Sequence, residues 1–106
     1  VIKYNANQRY TSDAVSTAIF QLICQRAGVP FQRYANRADM PGGSTLGNIA
    51  NTQVSLNTID IGLAQLAMHS PFETAGAEDT AYMLHALRTF FEASIQAGCD
   101  GNYRLG

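Results

Sequence analysis

The sequence predicts an α/β fold with a mainly parallel sheet, in the order strand, helix, strand, helix, strand, helix. Three short apolar stretches suit strands, and each is followed by a segment whose apolar residues recur at helical spacing. Strands separated by helices favour parallel pairing, because each helix carries the chain back before the next strand begins. At 106 residues the chain holds one domain at most, and its hydrophobic fraction of 46% is ordinary for a globular protein.

The start of the chain predicts a strand and a long helix. Residues 1–4 are apolar enough for a strand. Asp13 supplies a first-turn acid beside hydroxyl side chains that can cap a helix, and apolar residues recur at helical spacing over residues 12–27. Gly28 is expected to end this helix, and Pro30 prevents its continuation.

Shorter elements are predicted after the first helix. A strand is expected over residues 31–35 and a short helix over residues 44–52. The β-branched residues within 57–62 favour a third strand. A last helix is predicted over residues 78–97, with acids at its start that suit the helix dipole, and the polar tail 99–106 is expected to fray.

The composition argues against two classes of function. A net charge of −1 does not supply the basic patch that nucleic acid requires, and no stretch is long and apolar enough to span a membrane. Cys24 and Cys99 lie far apart without CxxC spacing, which fits free thiols in a reducing cytoplasm. The chain starts without Met, inside a predicted strand and with no visible signal peptide, so we expect a piece of a longer protein.

His69 lies in the stretch around which the chain is organised, residues 59–73. It follows a predicted strand, at the kind of junction where functional groups of parallel sheets collect. A neutral imidazole can bind zinc, but no partner at metal-ligand spacing accompanies this residue, so spacing alone favours a histidine satisfied by a backbone carbonyl. His85 falls on the polar side of the last helix, where a surface role is expected.

A glycine-rich loop precedes the predicted short helix. Its sequence, ADMPGGSTLG, holds Gly42, Gly43, Ser44 and Thr45 and allows close backbone approach to a ligand at a helix start. No Lys precedes the Ser/Thr pair, so it is not a Walker motif. A tight turn with a helix cap remains the simpler interpretation.

Polar residues near these loops have both functional and structural interpretations. Lys3 can neutralise a carboxylate and Tyr10 can donate to an oxyanion, whereas each residue alone is better interpreted as a solvated Lys or a half-buried Tyr. Asp39 can brace the glycine-rich turn, and Glu73 can cap or pair locally. Ser70 lacks the surrounding nucleophile-elbow motif that a catalytic triad requires.

Four segments together carry a family resemblance. KYNANQRYTSDAVSTAIF, AGVPFQ, ADMPGGSTLGNI and TIDIGLAQLAMHS occur in this order and cover nearly the whole chain up to the last helix. They resemble the C-terminal part of the aspartyl aminopeptidases, which are two-zinc exopeptidases. The resemblance implies a C-terminal segment of the catalytic domain of a three-layer, phosphorylase/hydrolase-like zinc-peptidase fold, within a protein several times longer.

The resemblance also implies roles for particular residues. His69, in the AMHS motif, matches the family's last zinc ligand, and the other ligands and the general base lie upstream of this chain. Lys3 matches the lysine that pairs with the acidic side chain of the substrate's first residue, and Tyr10 matches a catalytic tyrosine close to the scissile carbonyl. The implied reaction is metal-assisted hydrolysis of a peptide. Part of the substrate pocket is matched by the loop residues Gly43, Ser44 and Thr45.

The chain departs from the family pattern at a few positions. The family often has Cys at the position of Gly42, Pro at that of Asn48, and Ile-Arg in place of Pro71 and Phe72. These differences affect details of the pocket and the exact substrate preference, while the implied site residues are retained.

Two functions from different classes follow. The first is the catalytic segment of a zinc aminopeptidase that removes acidic N-terminal residues, inactive when isolated because one histidine cannot build a two-metal site. The second is a non-catalytic α/β module that associates with itself. A charged fraction of 14% and a thin sheet indicate apolar surfaces that contact the rest of the polypeptide or a second copy in a homo-oligomer.

Overall fold

A β–α–β unit begins the chain, as predicted. The computed structural model describes residues 1–106, with three helices and six short strands. Strand β1 (Ile2–Tyr4) pairs in parallel with β2 (Arg33–Ala35), and helix α1 (Ala14–Ala27) connects them. The parallel pairing expected from an intervening helix is confirmed for these two strands.

Helix α1 has well-defined signals at both ends. The Asp13 carboxylate accepts a hydrogen bond from the Ser16 backbone N–H at 2.7 Å, and the Ser16 hydroxyl accepts one from the Asp13 backbone N–H at 3.0 Å. This reciprocal pair satisfies donors that the first helical turn leaves free. Gly28 ends the helix with φ of 68°, a left-handed conformation that glycine adopts without steric cost. The predicted helix end is therefore confirmed.

The hydrophobic core is small and lies along α1. One side of this helix packs against β1, and another packs against helix α3 (Asp79–Glu92). Helix α2 (Leu46–Gln53) contributes no buried residue. None of the three helices has the length and the apolar run needed to cross a membrane. The buried apolar residues are Ile2, Phe20, Ile23, Cys24, Val29 and Ala86.

The prediction of a third parallel strand over residues 57–62 is wrong. This segment runs antiparallel to β1 and makes a single bridge, between Ile61 and Ile2. The Asp60 backbone N–H bonds to the Ser12 hydroxyl at 2.9 Å instead of to a neighbouring strand. A side chain thus takes the donor that a continuous ladder would use.

Two antiparallel hairpins replace the rest of the expected parallel sheet. Strand β3 (Gln65–Leu66) pairs with β4 (Thr74–Ala75), and β5 (Ile95–Ala97) pairs with β6 (Tyr103–Leu105). Only one of the three two-stranded sheets is therefore parallel.

The second hairpin also corrects the predicted end of the chain. Helix α3 stops at Glu92 rather than at residue 97, and the tail that was expected to fray forms β6. Gly101, with φ of 80°, makes the turn between the strands, since few other residues accept that conformation. The Arg26 guanidinium donates to the backbone oxygens of Leu105 and Gly106 at 3.1 and 2.6 Å. These bonds tie the chain end to α1.

Candidate functional site

Lys3 and Thr45, two of the residues that the sequence marks as candidates, contact the carboxylate of Asp60, and a third candidate, Tyr10, contacts Lys3. The Oδ1 atom of Asp60 lies 3.8 Å from Nζ of Lys3. Its Oδ2 atom accepts a short hydrogen bond from the Thr45 hydroxyl. The Lys3 Nζ atom also lies 5.6 Å from the centre of the Tyr10 ring, within the range of a cation–π interaction. Lys3, Tyr10 and Thr45 therefore belong to one cluster, which we call the Asp60 cluster.

Backbone hydrogen bonds fix the position of Asp60 beside β1. The Lys3 backbone N–H donates to the Asp60 carbonyl oxygen at 2.9 Å, and the Gly62 N–H donates to the Val1 carbonyl oxygen at 2.9 Å. The Ser12 hydroxyl accepts from the Asp60 N–H on the other side. The carboxylate is thereby aimed at the end of β1 and at the loop before α2.

The Lys3 ammonium is partly buried and has unused hydrogen-bond donors. Its side chain is 22% exposed, the Asp60 side chain is 10% exposed, and their 3.8 Å separation is that of an ion pair without a direct hydrogen bond. Nζ donates no hydrogen bond to any other group of the chain. An ammonium held in place with free N–H donors is suited to bind a carboxylate or another anion.

Gly62 leaves room for this lysine. A Cβ atom at Gly62 would lie 3.1 Å from Cε and 3.3 Å from Nζ of Lys3. Both distances are shorter than ordinary contacts, so a side chain at this position would shift the end of the Lys3 side chain by a few tenths of an ångström. Gly62, which follows the bridge at Ile61, therefore leaves space for the end of the Lys3 side chain.

The glycine-rich loop contacts the Asp60 cluster mainly through Thr45. Gly43 is exposed and has open space where a Cβ would be, and Ser44 is exposed as well. The Asn48 amide donates to the Arg9 carbonyl oxygen at 2.5 Å and to the Ser44 hydroxyl at 3.1 Å. The Asn48 amide thereby links the loop to the segment that carries Tyr10. Proline, which the family often has at this position, has no side-chain donor and could not make these bonds.

His69 lies in the turn between β3 and β4. The residue is exposed, and its φ of 69° is uncommon for a residue other than glycine. Its backbone N–H donates to the Glu73 carboxylate at 3.1 Å, so the predicted local pairing of Glu73 is present. Neither a hydrogen bond nor an ion pair joins His69 to the Asp60 cluster.

A complete metal site is not formed by this chain alone. No three His, Cys, Asp or Glu side chains converge as metal ligands would. The imidazole of His69 is free for a single metal bond, since only its backbone is engaged. The residues of this chain alone therefore do not form a complete two-metal centre.

The remaining candidate residues lie on the surface. Asp39 pairs with Arg37 through distances of 2.6 and 3.0 Å, within its own exposed loop. His85 is exposed on α3, as predicted from its polar neighbours. Neither residue makes a hydrogen bond or an ion pair with the Asp60 cluster.

Asp60 is the central residue that the sequence reasoning missed. It lies in the apolar, β-branched stretch TIDIG, where an acid is unexpected because a buried carboxylate needs partners. That mismatch between an acid and its apolar neighbours is the signal that could have identified it.

Comparison with known proteins identifies a family for this sequence. The family described as aminopeptidase I zinc metalloprotease (M18) matches residues 1–91. A probable M18 family aminopeptidase 2 of Mycobacterium tuberculosis (strain ATCC 25618 / H37Rv) is 50% identical over 95 residues, which are 90% of this chain and 22% of that protein. The probable M18 family aminopeptidase 2 of Clostridium acetobutylicum is 44% identical over 91 residues, 86% of this chain and 21% of that protein. The chain thus spans about a fifth of these relatives.

Two solved structures are similar to this chain. One is a chain from the cryo-EM structure of the Ape4 and Nbr1 complex, with a TM-score of 0.83 and 37% identity over 86% of this chain and 17% of that one. The other is the crystal structure of prApe1, with a TM-score of 0.81 and 28% identity over 86% of this chain and 19% of that one. Because the match to this family covers residues 1–91, the chain belongs to the M18 family of aminopeptidase I zinc metalloproteases.

Proposed function

We propose that this chain is the C-terminal segment of the catalytic domain of a two-zinc aminopeptidase that removes acidic N-terminal residues from peptides. Membership of a zinc metalloprotease family and the share of the relatives that the chain spans support a piece of a larger enzyme. The observation that carries the acidic preference is the Lys3 ammonium, which is held beside Asp60 and Tyr10 with its donors unused. A substrate carboxylate would complete its hydrogen bonding.

The substrate would approach the Asp60 cluster from the loop side. Lys3 would bind the acidic side chain of the first residue, and the Tyr10 hydroxyl would donate to the carbonyl oxygen of the bond to be cut. Gly43, Ser44 and Thr45 would form one wall of the pocket, for which the open space at Gly43 leaves room. These roles require that the first residue of the substrate bind beside the Lys3 ammonium, near Asp60 and the Tyr10 ring.

Zinc would belong to the intact enzyme. His69 would supply one imidazole ligand from the exposed turn between β3 and β4, and the remaining ligands would come from other parts of the polypeptide. The cytoplasm is the proposed compartment, which agrees with the free state of Cys24 and Cys99.

Substrate selectivity tests this function directly. In the full-length enzyme, Lys3→Met should lower kcat/KM for an N-terminal Asp or Glu substrate by about tenfold or more relative to a neutral Ala or Leu substrate, because the charge that pairs with the acid is lost. Lys3→Arg keeps the charge and serves as the matched control. An unchanged ratio in Lys3→Met would contradict the acidic preference.

A second function, a self-associating α/β module, is favoured by the exposed apolar surface. Only 7 of the 106 residues are buried, which leaves large hydrophobic side chains in contact with solvent. In the intact enzyme the same surface would be covered by the remainder of the polypeptide and by a second subunit. Four of these side chains are at least 73% exposed: Leu46, Leu66, Phe72 and Phe91.

A further inference from the structure

We propose that Asp60 is a positioning residue for substrate selectivity, which sets the location of the Lys3 ammonium and joins it to the glycine-rich loop through Thr45. The inference rests on the proposed function, since it concerns the same pocket. It assigns a role to a residue that contacts no substrate itself. Its basis is the division of one carboxylate between two partners, with Oδ1 facing Lys3 and Oδ2 bonded to Thr45.

The carboxylate of Asp60 is well placed for this role. It is only 10% exposed, so water cannot readily replace its partners. The Thr45 hydroxyl takes one oxygen in a short hydrogen bond, and the backbone of Asp60 is fixed by Lys3 and Ser12. The remaining oxygen therefore has a fixed position from which it attracts the ammonium.

Lysine needs such a constraint more than arginine does. Its ammonium ends a flexible four-carbon stem that loses considerable rotamer freedom when it is ordered. The carboxylate of Asp60 and the ring of Tyr10 both lie near the Lys3 ammonium and limit its position. Because the ion pair contains no direct hydrogen bond, the constraint leaves the donors of Nζ free for substrate.

The charge of Asp60 also has an effect that opposes the binding of acidic substrates. Its negative charge repels an acidic substrate and offsets part of the charge of Lys3. If this repulsion dominated, removal of the charge would strengthen the preference for acidic substrates. The hydrogen bond to Thr45 and the low exposure of the carboxylate favour positioning over neutralisation, because they fix the carboxylate in place instead of leaving it free to turn towards a bound substrate.

The test measures KM and kcat in the full-length enzyme with paired acidic and neutral substrates. Asp60→Asn keeps the shape and an acceptor for the Thr45 hydroxyl but removes the charge. We expect the acidic-to-neutral ratio of kcat/KM to fall about tenfold, mainly through KM for the acidic substrate. Asp60→Glu, which restores the charge, should recover part of the ratio. Glu92→Gln, which removes an exposed carboxylate paired with Arg88, is the matched control and should leave the ratio unchanged.

A double variant separates positioning from a general structural effect. In the Lys3→Met background, Asp60→Asn should produce no further fall in the ratio, since its effect acts through Lys3. A further fall of the same size, or a ratio that is unchanged or raised by Asp60→Asn alone, would overturn the inference. If Lys3→Met itself leaves the ratio unchanged, the proposed function fails and the inference fails with it.

Thr45→Val provides a second route if Asp60→Asn does not fold. It removes the hydroxyl that anchors Oδ2 while keeping the charge and nearly the same side-chain volume. We expect the acidic-to-neutral ratio to fall by about twofold or more, because the carboxylate loses its anchor. A ratio equal to that of the unsubstituted enzyme would overturn the inference.

Discussion

Asp60 and Lys3 are joined twice, once through the backbone and once through their side chains. The Lys3 N–H donates to the Asp60 carbonyl oxygen at 2.9 Å, and Nζ of Lys3 lies 3.8 Å from Oδ1 of Asp60. The backbone bond fixes the base of each side chain, so the two charges meet at a set distance at the end of β1. This double connection brings residues from the start and the middle of the chain into one cluster with Tyr10 and Thr45.

Zinc content separates the roles of the two histidines. In the full-length enzyme, His69→Asn should lower the zinc that remains after dialysis, because an exposed imidazole with a free ring is lost as a ligand. Asn is chosen since it tolerates the positive φ at this position better than most residues. Zinc is measured per polypeptide by elemental analysis. His85→Ala, at an exposed position on α3, is the control and should retain the wild-type zinc content. Equal zinc in both variants would remove His69 from the metal site.

The isolated chain should have no peptidase activity. A two-metal centre needs several protein ligands, and no three potential ligand side chains converge in this chain. The measurement is hydrolysis of an N-terminal Asp substrate by the purified 106-residue chain, with added zinc and with a chelator. Hydrolysis that the chelator abolishes would show that the chain contains a complete site, against this expectation.

Self-association of the isolated chain is a separate prediction. Exposed apolar side chains such as Phe72 and Phe91, at 84% and 80%, favour contact with a second copy. Sedimentation at increasing concentration should therefore show dimers or larger species. The double variant Phe72→Ser and Phe91→Ser should shift the distribution towards monomer, whereas Tyr103→Phe should leave it unchanged. A monomer at every concentration would contradict the prediction.

Two neighbouring residues on α1 should differ strongly in their contribution to stability. Ile23 is fully buried and Leu22 is 51% exposed, although both are aliphatic and lie on the same helix. Ile23→Ala should lower the free energy of unfolding of the chain by about 3 kcal/mol, because it removes buried methyl groups and leaves a cavity. Leu22→Ala should change it by about 0.5 kcal/mol or less. Chemical denaturation measures both, and equal losses would contradict the burial pattern.

The parts of the fold that sequence predicts well depend on local signals. Helix α1 follows from its apolar spacing, the cap at Asp13 and the stop at Gly28, all of which act within a few residues. The second hairpin had a local signal too, since an Asp-Gly pair at 100–101 marks its turn, but the preceding helical pattern obscured it. The segment 57–62 could not be assigned from propensity, because a side chain distant in sequence, Ser12, takes its backbone donor.

The candidate site, like the fold, has a part that the sequence indicates and a part that depends on long-range contacts. Lys3, Tyr10 and Thr45 were identified by resemblance, and no spacing in the sequence indicates that they lie together. Their meeting point depends on Asp60, whose long-range contacts are invisible until the chain folds. The metal role of His69 stays a prediction, since no three potential metal ligands converge in this chain.

The buried thiol of Cys24 should make stability depend on alkaline pH. Burial raises its pKa above the ordinary value of 9.0, an effect that the nearby N-terminal ammonium only partly opposes. The unfolded chain therefore loses this proton at lower pH than the folded chain, so the free energy of unfolding should fall as pH rises beyond about 9. Cys24→Ala should make this decline shallower between about pH 8 and 10 in urea denaturation, while Cys99→Ala, at an exposed thiol, should leave the slope unchanged. The same slope in both variants would show that the decline arises from other groups.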